Sequence, residues 1–375
     1  MTSAEIITIG TEILLGEIVD TNTRYIARTL RGLGVDLYRT ITIGDNADRI
    51  AEVIRDSMSR ANIIITTGGL GPTIDDPTRE AVAKAIGVET EFREDLWEQV
   101  VETIARYGRK PSENQKRQAY VPKGALGLKN PVGTAPCFIV ETENNAVISL
   151  PGVPQEMEHI LHESVIPYLQ KRFNLNEVIK VRVLHCAGLG EGSIDEKIAD
   201  LELLSNPTVG LAAHTGVVDV RITAKAKSES EANAMMDEIE SQVRERLGAI
   251  VFGVDEDKLE EVTLNLLAKK GLTLTAIESG LDGLLARKIP HTASHLNLTA
   301  DSLMQALRSA QASAKTDIAV GVAIFPEERS AVMAMITSKG EKSHKISYGG
   351  PPRSLPRWSM NLAINWLRTV LEEMN

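Results

Sequence analysis

Three short apolar runs separated by two helical patterns open the chain, and this alternation constrains the fold more than any other feature. Glu5-Ile6-Ile7-Thr8-Ile9-Gly10 reads as a short buried strand. The helix after it starts near Asp20 or Thr21, either of which can cap it, and places Ile26, Leu30 and Leu33 on one face at i, i+4 and i+7. Gly34 ends that helix, and Val35 to Ile43 reads as a second strand. A further helix begins near Ala47 with Ile50, Val53, Ile54 and Met58 inward, and Asn62 to Thr66 is the third strand. Such a β-α-β-α-β rhythm implies a largely parallel sheet with helices on both faces, a three-layer α/β domain.

The rhythm loosens after a helix at Pro77 to Ile86. Residues 91–130 are polar, and Gly108 to Gln118 reads as an exposed connection. Ile139-Val140 and Ala146 to Leu150 pair as a hairpin across Glu143-Asn144-Asn145, and "LPGVPQEMEHIL" returns to helix. A second module begins near Asn174. It has a strand at Val178 to Leu184, a turn and helix in "GLGEGSIDEKIADLELL", a hairpin around Thr215-Gly216, a long polar-faced helix and a closing strand at Ile250-Val251-Phe252. A third begins near Asp257. Its helix carries Val262, Leu266 and Leu267, strands are expected at Leu272 to Ile277, Asp317 to Ile324 and Ala331 to Ile336, and a last helix spans Pro356 to Glu373. At 375 residues the chain is too long for one ordinary domain, and we expect three parts: residues 1–172, 173–255 and 256–375.

The stretch that points to chemistry is "TTGGLGPTIDDPTREA", residues 66–81. It joins the third strand to the next helix. In a parallel α/β sheet, ligands bind outside the carboxyl ends of the strands. Gly68, Gly69 and Gly71 allow positive φ and close approach of a ligand to the backbone, and the following helix adds free N–H groups and a positive dipole end. The combination suits phosphate. Asp76 before Pro77 reads as an ordinary helix start, with Asp as N-cap and Pro at the first helical position. Asp75 is not needed for that. Two adjacent carboxylates beside a phosphate nest can hold a divalent cation. No Gly-Lys-Ser/Thr follows, so this is not a Walker A loop, and it is not GxGxxG.

Charge narrows the partners. The formal net charge of −10 argues against nucleic acid and against an anionic membrane surface, yet a local nest of N–H groups can still bind a small anion. Cys137 and Cys186 show no CxxC spacing, which disfavours a disulfide framework or a zinc site. The opening residues lack a basic region followed by an apolar run, and no stretch is apolar for long enough to span a bilayer, so a cytoplasmic protein is expected. His159 and His162 in "EMEHILH" do not form the HExxH pattern and read as solvated histidines.

The glycine–aspartate turn resembles the signature turn of MoaB/MogA-like molybdopterin-binding domains. Its form, with Leu-Gly-Pro-Thr and Asp-Asp-Pro-Thr, resembles the CinA (competence/damage-inducible protein A) family. "GTEILLGEIVDTN" (Gly10 to Asn22), "ENQKRQAYVPKGA" (Glu113 to Ala125), "NPVGTAPCF" (Asn130 to Phe138) and "LPGVPQEM" (Leu150 to Met157) match further motifs of that family in order. Cys137 departs, standing where the family usually has Gly. The resemblance implies a metal-dependent ADP-ribose pyrophosphatase that releases AMP and ribose 5-phosphate, with Mg²⁺ or Co²⁺ as the divalent metal. On that reading Asp75 and Asp76 hold the metal, and Glu12, at the same sheet edge, orients water or binds metal. Thr67, Gly68, Gly69 and Gly71, the loop amides Asn22, Asn114, Gln115 and Asn130, and Gly133, Thr134 and Glu156 contact a nucleotide-like substrate. The alternative is a pterin or nucleotide binding module without turnover. Similar proteins associate into dimers, and a homodimer is expected.

The resemblance continues more weakly. "GLGEGS" (Gly188 to Ser193) resembles the start of the family's KH-like α+β segment, but Glu191, Asp195 and Glu196 make it a structural connector rather than a nucleic-acid clamp. The third part resembles a truncated α/β nicotinamide mononucleotide amidohydrolase domain, whose Glu-Ser-Cys-Thr-Gly-Gly turn carries a serine nucleophile. Here "ESGLDGLLA" keeps Glu278, Ser279 and Gly283 and departs at Gly280, Leu281 and Asp282. The family's following Gly-Gly strand, Tyr and Lys have no counterpart, and the later Thr-Gly reads Val320-Gly321. A serine nucleophile needs a base and an oxyanion hole, so this turn is expected to be vestigial.

Overall fold

Strand β1 (Ser3–Ile9) buries Ala4, Ile6, Ile7 and Ile9 across both faces, as a central strand covered by helices on two sides must. The structure, a computed structural model, describes residues 2–106, 108–295 and 298–374. The chain forms two units, Met1–Lys180 with Lys225–Ala232, and Val181–Ala224 with Asn233–Asn375.

In the first unit β1 is followed by one helical turn, α1 (Thr11–Leu14), then α2 (Thr21–Gly32), β2 (Asp36–Ile43), α3 (Ala47–Met58), β3 (Ile63–Thr67) and α4 (Thr78–Ile86). Next come β4 (Thr90–Phe92), α5 (Glu94–Arg106), β5 (Tyr120–Pro122), β6 (Leu126–Leu128), β7 (Cys137–Glu141), β8 (Ala146–Leu150), α6 (Pro154–Ile160) and α7 (Ile166–Phe173). The main sheet has the order β2-β1-β3-β8-β7-β6. β1 pairs in parallel with β2 and β3, and β3 with β8, whereas β7 is antiparallel to β8 and β6. The chain leaves β1 toward one edge and later crosses back to β3, so right-handed crossovers put α2 and α3 on opposite faces. The Asp20 carboxylate caps α2 by accepting from Thr23 N at 2.9 Å. The buried stripe of that helix runs Asn22, Ile26, Leu30, which sets Asn22 at the end of the sheet where β1 finishes.

The polar residues 91–130 are more ordered than their composition suggests. They hold α5, which buries Leu96, Val100 and Ile104 together with Gln99 and Thr103, and the expected connection at Gly108 to Gln118 holds most of a 3-10 helix at Glu113–Ala119.

The second unit begins with most of β9 (Val178–Cys186), then α8 (Glu191–Glu202), β10 (Thr208–His214), most of β11 (Val217–Ala226) and of α9 (Glu229–Leu247), and β12 (Val251–Val254). These strands form a sheet of order β10-β11-β9-β12, with the β10–β11 hairpin closing through Thr215-Gly216. Then come α10 (Leu259–Lys269), β13 (Leu274–Ser279), β14 (Thr292–His295), α11 (Ala300–Ala314), β15 (Ile318–Phe325), β16 (Ser330–Thr337), β17 (Gly340–Ser347) and α12 (Leu355–Glu373). Their sheet has the order β14-β13-β15-β16-β17. Alternate residues face two cores: Ile277, Ala319, Ala323 and Val332 join Leu303 and Leu307 of α11, while Ala276, Val320, Val322 and Met333 join Leu267, Ile364 and Leu367 of α10 and α12.

Candidate functional site

The winding direction changes between β1 and β3, and a crevice opens at their carboxyl ends, the place where open α/β sheets bind ligands. Thr8 pairs with Thr67, and Thr67 with Leu150, so Gly10, Gly68 and Pro151 leave the sheet together. Around them lies a cavity of about 580 Å³.

The glycine turn is held from behind by the first two residues of α4. Thr78 Oγ1 donates to Gly68 O at 2.8 Å and Thr78 N to Gly69 O at 3.3 Å. Arg79 Nη2 donates to Leu70 O at 2.8 Å and Nη1 to Gly71 O at 3.3 Å. Within a trans peptide the N–H points opposite to the C=O. Pinning the carbonyls of 68, 69 and 70 therefore turns the N–H groups of Gly69, Leu70 and Gly71 away from α4. None of the three has an acceptor among the described residues, and all three residues line the cavity. Gly68 and Gly69 take φ of 106° and 65°. Gly71 does not have a positive φ; a Cβ there would stand 2.4 Å from Asp76 Oδ2, so close approach and not backbone conformation requires its glycine.

Asp76 also differs from expectation. It does not cap α4: Pro77 occupies the N-cap without a side-chain bond, and the helix starts at Thr78. Asp76 Oδ2 instead accepts from Thr73 N at 2.8 Å and Thr73 Oγ1 at 2.6 Å, closing the end of the turn.

Six carboxylates line the cavity: Glu12, Asp20, Asp45, Asp75, Asp76 and Glu156. Four are engaged. Asp20 accepts from Thr8 Oγ1, Thr23 N and Thr23 Oγ1. Asp45 accepts from Thr11 N at 2.9 Å and Thr11 Oγ1 at 2.7 Å. Asp76 holds Thr73, and Glu156 accepts from Asn130 Nδ2 at 2.6 Å. Glu12 and Asp75 have no hydrogen-bond partner among the described residues. No lysine or arginine is among the described residues that line this cavity. Nor, among the described residues, does any group of three or more His, Cys, Asp or Glu side chains stand ready to hold a metal.

Of the residues singled out in the sequence, Glu12, Asn22, Thr67, Gly68, Gly69, Gly71, Asp75, Asp76, Thr134 and Glu156 line this one cavity. Asn22 Nδ2 donates to Thr67 Oγ1 and to Gly152 O, both at 2.9 Å, while Thr67 Oγ1 donates to Pro151 O. Those acceptors fix the amide orientation and leave Asn22 Oδ1 without a partner. Four residues do not line it. Asn114 is exposed on the 3-10 helix, and Gln115 Oε1 accepts from Ser112 N to cap that helix. Asn130 is fully buried, joining Glu156 to Ala135 O and the N–H groups of Val132 and Gly133. Gly133 makes room for Glu156: a Cβ would come within 2.0 Å of Glu156 Oε2.

Asp45, Gln118 and Arg79 were not readable as site residues. Gln118 is 1% exposed, its Nε2 is 3.4 Å from Thr134 Oγ1 and its Oε1 is unpartnered; it lies within the "ENQKRQAYVPKGA" motif, which was the available signal. Cys137, where the family usually has Gly, is wholly buried in the core on β7 and does not line the cavity. Burial pushes its thiol well above the ordinary range.

The turn after β13 is closed in a different way. Glu278 is 1% exposed and accepts from Leu285 N at 2.8 Å and Ser294 Oγ at 2.6 Å. Ser279 Oγ accepts from Leu298 N at 3.2 Å, and no Lys or His among the described residues is hydrogen-bonded to it. Gly283 has φ 76° beside Arg287 and Glu278. Among the described residues, no helix is long and apolar enough to cross a membrane.

Comparison with known proteins agrees with this architecture. Residues 5–171 match the family model described as "Probable molybdopterin binding domain", and residues 181–253 match the "Damage-inducible protein CinA KH domain". A competence-damage inducible protein of Caldanaerobacter subterraneus subsp. tengcongensis is 44% identical over 285 residues, spanning 76% of this chain and 68% of that protein. One from Clostridium botulinum (strain Loch Maree / Type A3) is 42% identical over 287 residues, spanning 76% and 70%. The crystal structure of the protein CinA from Thermoplasma acidophilum aligns with a TM-score of 0.41 and 34% identity, covering 45% of this chain and 96% of that one. Identity at this level over more than two thirds of the relatives' length shows that the chain belongs to the CinA family of competence-damage inducible proteins.

Proposed function

We propose that the first unit hydrolyses the phosphoanhydride of ADP-ribose, giving AMP and ribose 5-phosphate, with a divalent metal such as Mg²⁺ or Co²⁺. The observation that carries this reading is one juxtaposition: the acceptor-less N–H groups of Gly69, Leu70 and Gly71 share a cavity with two unpartnered carboxylates, Glu12 and Asp75. A row of free N–H groups binds phosphate oxygens. Asp75, with the Asp76 oxygen that Thr73 leaves free, would hold the metal. So few protein ligands suit a cation that takes its remaining oxygens from phosphate and water. When bound, the metal neutralises phosphate charge and acidifies water.

Glu12 takes the proton of the attacking water. The new P–O bond forms as the bridging P–O bond breaks, and the leaving phosphate carries away the electron pair. Ile13, Ile18, Val19 and Val153 supply apolar surface for a base, and Asn22 and Gln118 supply amides for ribose hydroxyls. Asn130, Gly133 and Gln115 act by shaping the walls. In the second unit, the hydrogen bonds that engage Glu278, with no Lys or His hydrogen-bonded to Ser279 among the described residues, support the loss of deamidase chemistry.

The test is an assay of the purified full chain with ADP-ribose and with nicotinamide mononucleotide, each with Mg²⁺, Co²⁺ or chelator. AMP appearing only with metal is the expected result. Binding of ADP-ribose without AMP would leave a binding module, and ammonia from the mononucleotide would restore Ser279 as a nucleophile.

A further inference from the structure

An anion entering this cavity meets six carboxylates and, among the described residues, no lysine or arginine on the wall, in a chain of net charge −10. Coulomb repulsion acts against phosphate unless a positive charge lies close behind the surface. Arg79 is placed there. It is 4% exposed. Its guanidinium donates to the carbonyls of Leu70 and Gly71, and more weakly to Pro136 O at 3.5 Å. Its Nε has no partner, and no carboxylate lies within ion-pair distance among the described residues, the Asp76 carboxylate attracting it only from farther away.

Each part of that placement works against stability. A buried cation with no carboxylate paired to it is costly, an orphaned N–H adds to the cost, and the first turn of a helix is the end where the macrodipole disfavours positive charge. A bound anion on the other side of the turn would offset the charge and dipole costs, though not the unpaired Nε–H.

We infer that Arg79 is a positioning and selectivity residue of the glycine turn: by holding the carbonyl of Leu70 it aims the N–H of Gly71, at the Gly71 carbonyl it steadies the end of the turn, and its buried charge is the counter-charge for the substrate's phosphates. This rests on the reading of the turn as a phosphate site. Two effects are thereby separated. The geometric effect acts on every ligand that touches the turn. The electrostatic effect grows with ligand charge, so Arg79 favours pyrophosphate and ADP-ribose over a neutral nucleoside. Burial, which lowers the pKa of Arg79 to about 10, leaves the group cationic at neutral pH and its charge available.

The experiment measures binding of inorganic pyrophosphate, AMP and adenosine to the full chain by calorimetry in Mg²⁺ buffer, with Arg79→Gln and Arg79→Lys beside the unaltered protein. Thermal unfolding and circular dichroism establish that each variant is folded. Gln keeps one amide to hold Leu70 O and loses the charge; Lys keeps the charge and loses the fork. The expected result is a weakening of pyrophosphate by about tenfold or more in Arg79→Gln, a smaller loss for AMP, unchanged adenosine, and partial recovery of pyrophosphate in Arg79→Lys. Equal losses for all three ligands, or no loss in folded Arg79→Gln, would overturn the electrostatic role while leaving the phosphate site intact. If Arg79→Gln does not fold, the Lys variant decides alone: charge selectivity like that of the unaltered protein supports the inference, and its disappearance overturns it. Failure of the unaltered protein to bind pyrophosphate would overturn the phosphate reading itself and this inference with it.

Discussion

The turn after β3 and the turn after β13 both leave a buried strand of a parallel pair through a glycine at positive φ, Gly68 at 106° and Gly280 at 78°. Both follow a buried hydroxyl, Thr67 and Ser279. They differ in where their polar groups go. After β3, side chains of α4 take up the carbonyls and leave three N–H groups free, with Glu12 and Asp75 unpartnered nearby. After β13, the Glu278 carboxylate takes Leu285 N and Ser294 Oγ, and the Ser279 hydroxyl takes Leu298 N. Groups bonded within the protein hold a fold together; groups at a cavity wall with no protein partner have something to offer a ligand. The same strand-and-turn plan can thus serve a site or a scaffold, and hydrogen-bond accounting separates the two.

The largest effect is expected from breaking the comparison at its centre. Asp75→Asn removes the charge of a carboxylate that holds nothing else in place, so AMP release from ADP-ribose should fall by about 100-fold or more with an unchanged unfolding midpoint. Ser279→Ala, in contrast, should leave AMP release unaltered. A Ser279→Ala variant that lost turnover as completely as Asp75→Asn would mean that the turn after β13 is not a scaffold. The assay follows AMP by chromatography under saturating metal.

Next in size are the glycines. A Cβ on Gly68 would stand 2.1 Å from Ile9 O, a backbone atom of the central strand, whereas on Gly280 it would meet Ile324 Cγ1 at 2.8 Å, the side chain of a neighbour. Backbone cannot yield where a side chain can. Gly68→Ala should therefore lower unfolding stability by about 3 kcal/mol or more, and Gly280→Ala by about 1–2 kcal/mol, both including the strain of positive φ. Urea unfolding of the two variants side by side checks the order. Equal losses would show that the glycine turn is no more tightly built than its counterpart.

Much of the first unit was legible because apolar runs buried on both faces admit few arrangements, and the glycines mark where the strands end. The cavity followed from that placement. What could not be read has physical causes. Asp76-Pro77 has the composition of a helix start, but Thr73, three residues upstream, offers a hydroxyl and an N–H that take the carboxylate instead. Gly71 carries no sign that it yields to Asp76 and not to a turn. Arg is a residue type that rarely goes inside, so nothing marked Arg79 as buried. Helix α5 was obscured because Gln99 and Thr103 interrupt its buried stripe. In the second unit, β17 reads GEKSHKIS and is exposed along nearly its whole length; an edge strand without an apolar face has no period-two signal.

The smallest effect sharpens the comparison within the second unit. His185 Nδ1 is 2.7 Å from Asp219 Oδ1, and its Nε2 is 2.8 Å from Asp255 O. A carboxylate and a carbonyl only accept, so both bonds form only when both ring nitrogens carry a proton, and these partners favour the imidazolium over the neutral ring. Phe252 stacks on it at 5.7 Å, and the other Asp219 oxygen meets His214 Nε2 at 3.0 Å. Burial alone would lower the pKa of His185; the Asp255 carbonyl and then the Asp219 carboxylate outweigh it and raise the value above 6.5. Folding therefore favours the protonated ring. The stabilisation is complete below the unfolded pKa and is lost as pH rises through the higher folded one. The unfolding midpoint should accordingly drop by a few degrees between pH 6 and pH 8, and His185→Gln should remove most of that drop. If these polar groups are scaffold, AMP release by the first unit should be indifferent to the same substitution. Scanning calorimetry and the AMP assay on one preparation test both halves, and a His185→Gln protein with the full pH-dependent drop would show that another group carries it.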